Sequence, residues 1–316
     1  MERIVLIAVI VFGSVAEALS QRDAQFTHYR RAMGYYNPAV AGLNNYLNVA
    51  AGYRLQWLGW SNAPKTLFAM ADMPFKLQKR THGLGVAVTK DTESSVYSTL
   101  SGGLQYAFLQ KIGKGELRIG VQLGLISLTV DGTKIILPVD SIGGEGASDP
   151  AIPTAANDAK KFDAHLGIYY STDKWYVGAA AKHLFRPEID DDNLYTYFER
   201  EYNFLFGYNI QTNNPLLQLQ PSVFVKTNFN TYTIDLTTCA VYGKKYSAGM
   251  SWRTNESASI LLGATFGKID GGYAYDFPLT AIRKGTSGSH ELFLKYKLQL
   301  NKPKTKKSKH KSVRLL

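Results

Sequence analysis

From about residue 46 to residue 300 the chain alternates apolar and polar side chains with a period of two in one segment after another. Successive side chains of a strand point to opposite faces, so such a pattern gives each segment one apolar and one mostly polar face. In the last segment His290, Leu292, Leu294, Tyr296, Leu298 and Leu300 share one face, while Glu291, Phe293, Lys295, Lys297 and Gln299 share the other. The same division sets Tyr202, Phe204, Phe206, Tyr208 and Ile210 against Asn203, Gly207, Asn209 and Gln211. It sets Leu117, Ile119, Val121, Leu123 and Leu125 against Arg118, Gly120, Gln122 and Gly124. Helices cannot sustain this period. After Ser20 no apolar run is long enough for a transmembrane helix either, since that takes about 18 residues or more.

Read strand by strand, the pattern predicts an all-β fold of about fourteen antiparallel strands: 46–57, 66–73, 83–90, 96–109, 116–130, 164–170, 175–183, 200–211, 216–226, 231–242, 246–253, 258–267, 271–278 and 289–300. The connectors after even-numbered strands are mostly tight. Those after strands 5 and 7 are long, at 131–163 and 184–199. An even strand count, with short turns at one end and longer loops at the other, is the pattern of an outer-membrane barrel with both termini on the periplasmic side. A soluble exported sandwich or propeller also alternates, but its outward face would be charged. Here the polar face carries Gly, Gln, Asn, Thr and Ser with sparse charges, as a wet lumen would. Trp57, Trp60, Trp175, Tyr176, Tyr202, Tyr242 and Trp252 fall at strand ends, where membrane-interface girdles sit.

The flanks differ from this body. Residues 1–20 read as a secretory signal, with Arg3, an apolar run at Ile4–Phe12, and small-x-small sites at Ala16–Ala18 and Ala18–Ser20. Residues 21–45 form a short N-terminal segment, 46–300 the barrel, and 301–316 a tail. That tail holds Lys302, Lys304, Lys306, Lys307, Lys309, Lys311 and Arg314 without an acid, so seven of the net +11 charges lie in it. Such a run cannot bury a core and is expected to be disordered and periplasmic, docking on an acidic partner, anionic lipid or cell wall. The remaining +4 is ordinary and gives no reason to expect a nucleic-acid partner. Cys239 is the single cysteine, which excludes an internal disulfide.

Several clusters are more specific than alternation. Tyr36-Asn37-Pro38-Ala39 with Gly42 precedes the first strand. Arg54-x-Gln56-Trp57-x-Gly59, Ala63-Pro64-Lys65-Thr66 and Asp72-x-Pro74-Phe75 follow it. Phe162-Asp163-Ala164, Gly167-x-Tyr169-Tyr170 and Trp175-Tyr176-Val177-Gly178 lie mid-chain, and Gly272-Tyr273-x-Tyr275-Asp276 and Gly288-Ser289-His290-Glu291 close it. Taken in this order, from about Gln21 to Leu300, the set resembles the PorP/SprF family of outer-membrane proteins of the type IX secretion and gliding machinery. The resemblance implies a non-enzymatic barrel associated with a periplasmic ring of a lipoprotein and a soluble protein, in some members serving secreted adhesins. It says nothing of the basic tail.

Physically these residues read as structural. Tyr36–Gly42 is an Asn-Pro turn that would let the N-terminal segment bend before strand 1, either as a plain turn or folded into the lumen as a plug. Arg54 and Gln56 are expected to face the lumen and Trp57 the outer rim. First and last strands must meet in a closed barrel, which would bring Arg54 to Glu291. His290 is expected to face lipid as an interface residue. The six histidines show no HExxH or i, i+4 pairing, so no metal site is expected, and no catalytic or cofactor-binding residues are recognisable. Glu188 with Asp190-Asp191-Asp192 is a possible cation-binding loop but reads first as a solvated acidic one. The expected function is a non-enzymatic membrane component of the secretion apparatus; the rival is a passive porin or transport channel, which would need an open lumen.

Overall fold

In a computed structural model, residues 23–78, 80–134, 156–191 and 194–300 are described. They form β1 Tyr46–Leu55, β2 Lys65–Leu77, β3 Arg80–Thr92, β4 Tyr97–Ile112, β5 Gly115–Asp131, β6 Ala156–Ser171 and β7 Trp175–Lys182. The second half supplies β8 Glu201–Tyr208, β9 Leu217–Thr227, β10 Tyr232–Tyr242, β11 Tyr246–Arg253, β12 Ser257–Phe266, β13 Ile269–Pro278 and β14 Ser289–Gln299. Each strand pairs antiparallel with the next, and β14 returns to β1, so the fourteen strands close into a barrel. The seam register sets Arg54 opposite Glu291 and Leu55 opposite His290. Outside the ring, Ile210–Gln211 continues β8 after a break at Asn209, and Glu188–Asp191 pairs with Leu194–Tyr197 as a hairpin.

The outer face explains why the barrel forms in lipid. Leu67, Leu84, Val86, Leu104, Leu123, Leu125, Phe206, Met250, Leu292 and Leu294 all project outward and are exposed. An apolar surface running round a whole molecule exceeds the few hundred Å² a soluble monomer tolerates. In a bilayer the closed ring leaves no backbone edge unpaired, which is the condition for crossing with strands. Tyr46, Tyr208, Tyr242, Tyr246 and Tyr296 lie toward the short-turn end, and Trp57, Trp60 and Trp252 toward the long-loop end. No helix among the described residues is long and apolar enough to cross a membrane.

Three expectations are corrected. β1 ends at Leu55, so Gln56 and Trp57 belong to the 56–64 loop, where Trp57 takes a left-handed φ of 54°. β6 begins at Ala156, because Ala156–Asp163 carries on the ladder with β5 despite its weaker alternation. Tyr176 turns inward and stacks on Tyr169 with ring centroids 6.0 Å apart, because it lies on the lumen side of β7. The predicted signal, the basic tail and the side chains of Asp190–Asp192 lie outside the described residues.

The lumen is occupied by the N-terminal segment. Residues 23–42 run through it, with turns at 27–32, a short helix α1 at Met33–Tyr36 and a 3-10 turn at Pro38–Val40. Asp23 lies at the long-loop end, against Lys182 and Lys226 at the ends of β7 and β9. Gly42 lies near the short-turn end, between Asp72 of β2 and Arg118 of β5. The chain then leaves at that end to begin β1.

Candidate functional site

The plug is held in three tiers. At the long-loop end, β1, β11, β13 and β14 each aim a charge inward. Arg54 contacts Asp276 at 2.6 Å and Glu291 at 3.3 Å, and Arg253 contacts Asp235 at 2.8 Å and Glu256 at 2.7 Å. The plug backbone enters this network directly: the N–H groups of Thr27 and His28 donate to the two oxygens of Glu291 at 2.7 and 2.9 Å. The Thr27 hydroxyl donates to Asp276 and accepts from Arg54 at 3.0 Å. Gln25 donates to Asp235 at 2.7 Å. Buried charges are tolerable only when paired and hydrogen-bonded, and here plug and wall complete each other's sets.

A second cluster occupies the β6–β9 side of the same end. Asp163 and His165 are two apart on β6 and therefore share its inner face, and His183 follows β7. Asp163 Oδ2 lies 2.6 Å from His183 Nδ1 and 3.0 Å from His165 Nε2. Asp23 of the plug meets His183 Nε2 at 3.0 Å and pairs with Lys182, while Lys226 contacts Glu201 at 3.0 Å. Burial would push the His183 imidazole down, but the Asp23 and Asp163 carboxylates outweigh it and raise its pKa to about 9.

The middle tier is aromatic. Phe26, Tyr29 and Tyr36 of the plug pack on Phe68, Phe224 and Phe293 of the wall, with Tyr29 stacked on Phe224 at 5.0 Å and Phe26 against Phe68 at 4.5 Å. Phe293 is thus the one large apolar residue on the inward face of β14 because it meets the plug. In the lower tier Asn37 caps the 3-10 turn by accepting from Ala39 N–H at 2.9 Å and donates to the carbonyl of Ile168 at 3.0 Å. Arg118 donates to the carbonyls of Ala41 and Gly42, both at 3.0 Å, and Asp72 accepts from Gly42 N–H at 2.9 Å. Gly42 has φ +64° and approaches Gly83 so closely that a Cβ would sit 2.8 Å from the Gly83 Cα. A cavity of about 290 Å³ remains beside the plug, lined by Arg30, Arg31, Lys244, Lys245, Asp270 and Lys295.

The motif residues divide between plug and seam. Tyr36, Asn37, Pro38, Gly42, Arg54, Asp72 and Glu291 meet at the plug–wall interface. Gln56 and Pro64 close the β1–β2 loop, the Gln56 N–H donating to the Pro64 carbonyl at 3.0 Å, with Ala63 beside them. Leu58 N–H donates to the Gly288 carbonyl at 2.7 Å, and Trp57 N–H to Ser289 Oγ at 3.1 Å, so that loop is fastened to the start of β14. His290 packs outside, 2.8 Å from the Tyr273 hydroxyl and with its ring 5.0 Å from that of Tyr275. Pro74 lies inside β2 opposite Gly83. Sequence reasoning quoted Asp163 only as part of a motif and missed Asp23, Thr27, Arg118, His165, Lys182, His183 and Arg253. Lone charges on an inward strand face were the available signal.

Fold and filled lumen together define a plugged outer-membrane-type β-barrel. The chain belongs to the type IX secretion system membrane protein PorP/SprF family, whose profile matches residues 18–296. That membership places it in the outer membrane. Among solved structures it is similar to the CymD monoaromatic hydrocarbon channel, with 12% identity, 86% of this chain and 93% of that one covered and a TM-score of 0.52. A Pseudomonas aeruginosa FadL homologue gives 12% identity, 86% and 94% coverage and a TM-score of 0.51. A monoaromatic hydrocarbon channel, the TodX deltaS2S3 mutant, gives 13%, 83%, 93% and 0.51. At such identities the likeness is one of fold alone. No curated protein matches.

Proposed function

We propose that this protein is a non-enzymatic outer-membrane component of the type IX secretion and gliding machinery, linking the outer membrane to the periplasmic ring lipoprotein and ring protein and supporting protein export. The observation that carries the reading is the plug: its hydrogen bonds reach strands around the ring, which suits a scaffold better than a porin. In this reading a signal peptide at residues 1–20 is removed on export, and β1 and β14 both present their outer ends to the periplasm. The tail Lys302–Arg314 then hangs beneath the barrel, where it docks on an acidic face of the ring. Docking of this kind weakens with salt, because the Debye length falls from about 10 Å at 0.1 M to about 3 Å at 1 M.

The test is purification of the full chain from native membranes in mild detergent, with and without residues 301–316, followed by mass spectrometry of what accompanies it. Recovery of the ring lipoprotein and ring protein supports the reading, with salt-sensitive loss on removing the tail. Their absence at low salt contradicts it. The rival reading is a passive porin or transport channel. That reading predicts solute uptake by proteoliposomes, which a scaffold does not support.

A further inference from the structure

In the scaffold reading the Asp163–His165–His183 cluster supplies only the contact of His183 with Asp23 of the plug, and its geometry is specific. We propose that these three side chains bind a divalent transition-metal ion of the zinc class at the long-loop end of the lumen, through Asp163 Oδ2, His165 Nε2 and His183 Nδ1, with Asp23 of the plug orienting His183.

Three observations carry this. The candidate donor atoms of the three residues all lie within 4.8 Å of one another, and all three residues are buried. The two imidazole rings have centroids 5.4 Å apart and planes at 76°. Two imidazoles on one tetrahedral ion, with metal–nitrogen bonds of about 2.0–2.1 Å, hold their centroids about 5 Å apart. The present 2.6 and 3.0 Å contacts are hydrogen bonds through Asp163; donor atoms on a tetrahedral ion stand about 3.3 Å apart, so coordination asks for shifts of about 0.3–0.7 Å. Third, His183 presents Nδ1 to the cluster and Nε2 to Asp23 at 3.0 Å. A carboxylate on the far nitrogen of a ligating histidine fixes its tautomer and orientation, and is the usual outer partner of such a ligand.

The donor set selects the ion. Two imidazoles and one carboxylate suit zinc and its neighbours, whereas calcium and magnesium take oxygen ligands. Three protein ligands leave a fourth position for water. A cavity of about 30 Å³ lined by Asp23, His183, Phe198 and Lys226 adjoins His183. Because Asp23 belongs to the plug and the ligands to β6 and the end of β7, the ion would fasten plug to wall.

The experiment uses the full-length barrel, purified in detergent without a polyhistidine tag, stripped with chelator and titrated with Zn²⁺ by calorimetry. The expected result is one tight site per barrel. His165→Gln and Asp163→Asn should weaken it at least tenfold, and Asp23→Asn should weaken it about 10–100-fold while keeping one site. Heat-modifiability on gels reports whether each variant has folded. Should those variants fail to fold, Co²⁺ loaded into the unaltered barrel decides, because X-ray absorption distinguishes imidazole from all-oxygen ligation. Imidazole ligation supports the site. Absence of a tight site, affinity unchanged in the folded variants, or all-oxygen ligation would show a hydrogen-bonded cluster only and overturn the proposal.

Discussion

Arg54 shows how much of this molecule depends on single buried charges. Its side chain is 2% exposed between Asp276 and Glu291, and Thr27 of the plug completes the set. Removing one partner of a buried pair leaves the other desolvated and uncompensated, which costs about 3–5 kcal/mol. Arg54→Met is therefore expected to lower the unfolding free energy by about that amount, read from tryptophan fluorescence during urea unfolding in liposomes. An unchanged value would mean that water reaches the pair. Glu93, in the β3–β4 loop, acts in the opposite sense. Burial, with Asp91 and Asp23 nearby, pushes its carboxyl from the usual 4.5 up to about 7. A group harder to ionise in the folded chain costs nothing below pH 4.5, and destabilises progressively as pH rises from 4.5 through 7. Glu93→Gln should leave the urea midpoint unchanged at pH 4 and raise it at pH 8.5; equal midpoints at both would refute the assignment.

At the scale of elements, the plug seats because the wall is thin where it passes. A side chain at Gly120 would collide with Pro38 and Ala39, and one at Gly167 with Asn37. Gly120→Val should therefore dislodge the 3-10 turn while leaving β5 paired. Trypsin reports it: cleavage after Arg30 or Arg31 should be slow in the parent and rapid in the variant, with the barrel band retained on gels. Equal protection would mean that the plug is held without this close approach. Strands of this kind are legible from sequence, since period two is a local property and β11 appears with the very bounds its pattern sets. The Asn-Pro turn is also visible locally, and so is Gly42. What the plug touches is not. Thr27 meets Glu291 across 264 positions, and His165 meets His183 just past the end of the neighbouring strand, so neither contact leaves a spacing motif in the chain. The seam is the exception, because closure itself requires β1 to meet β14 and so brings Arg54 toward Glu291.

For the molecule as a whole, the inward face misleads when read alone. Gly, Gln, Thr and Ser along the strands resemble the lining of a water-filled pore, yet glycines among them make room for Asn37, Pro38, Ala39 and Ala41 of the plug. The central claim is that the mature barrel is closed by its own N-terminal segment. Planar-bilayer conductance tests it most directly, comparing the parent with a form lacking residues 23–42 but retaining every strand. The account predicts no large steady current from the parent and large steady openings from the deletion. Large steady currents of equal size from both would contradict it.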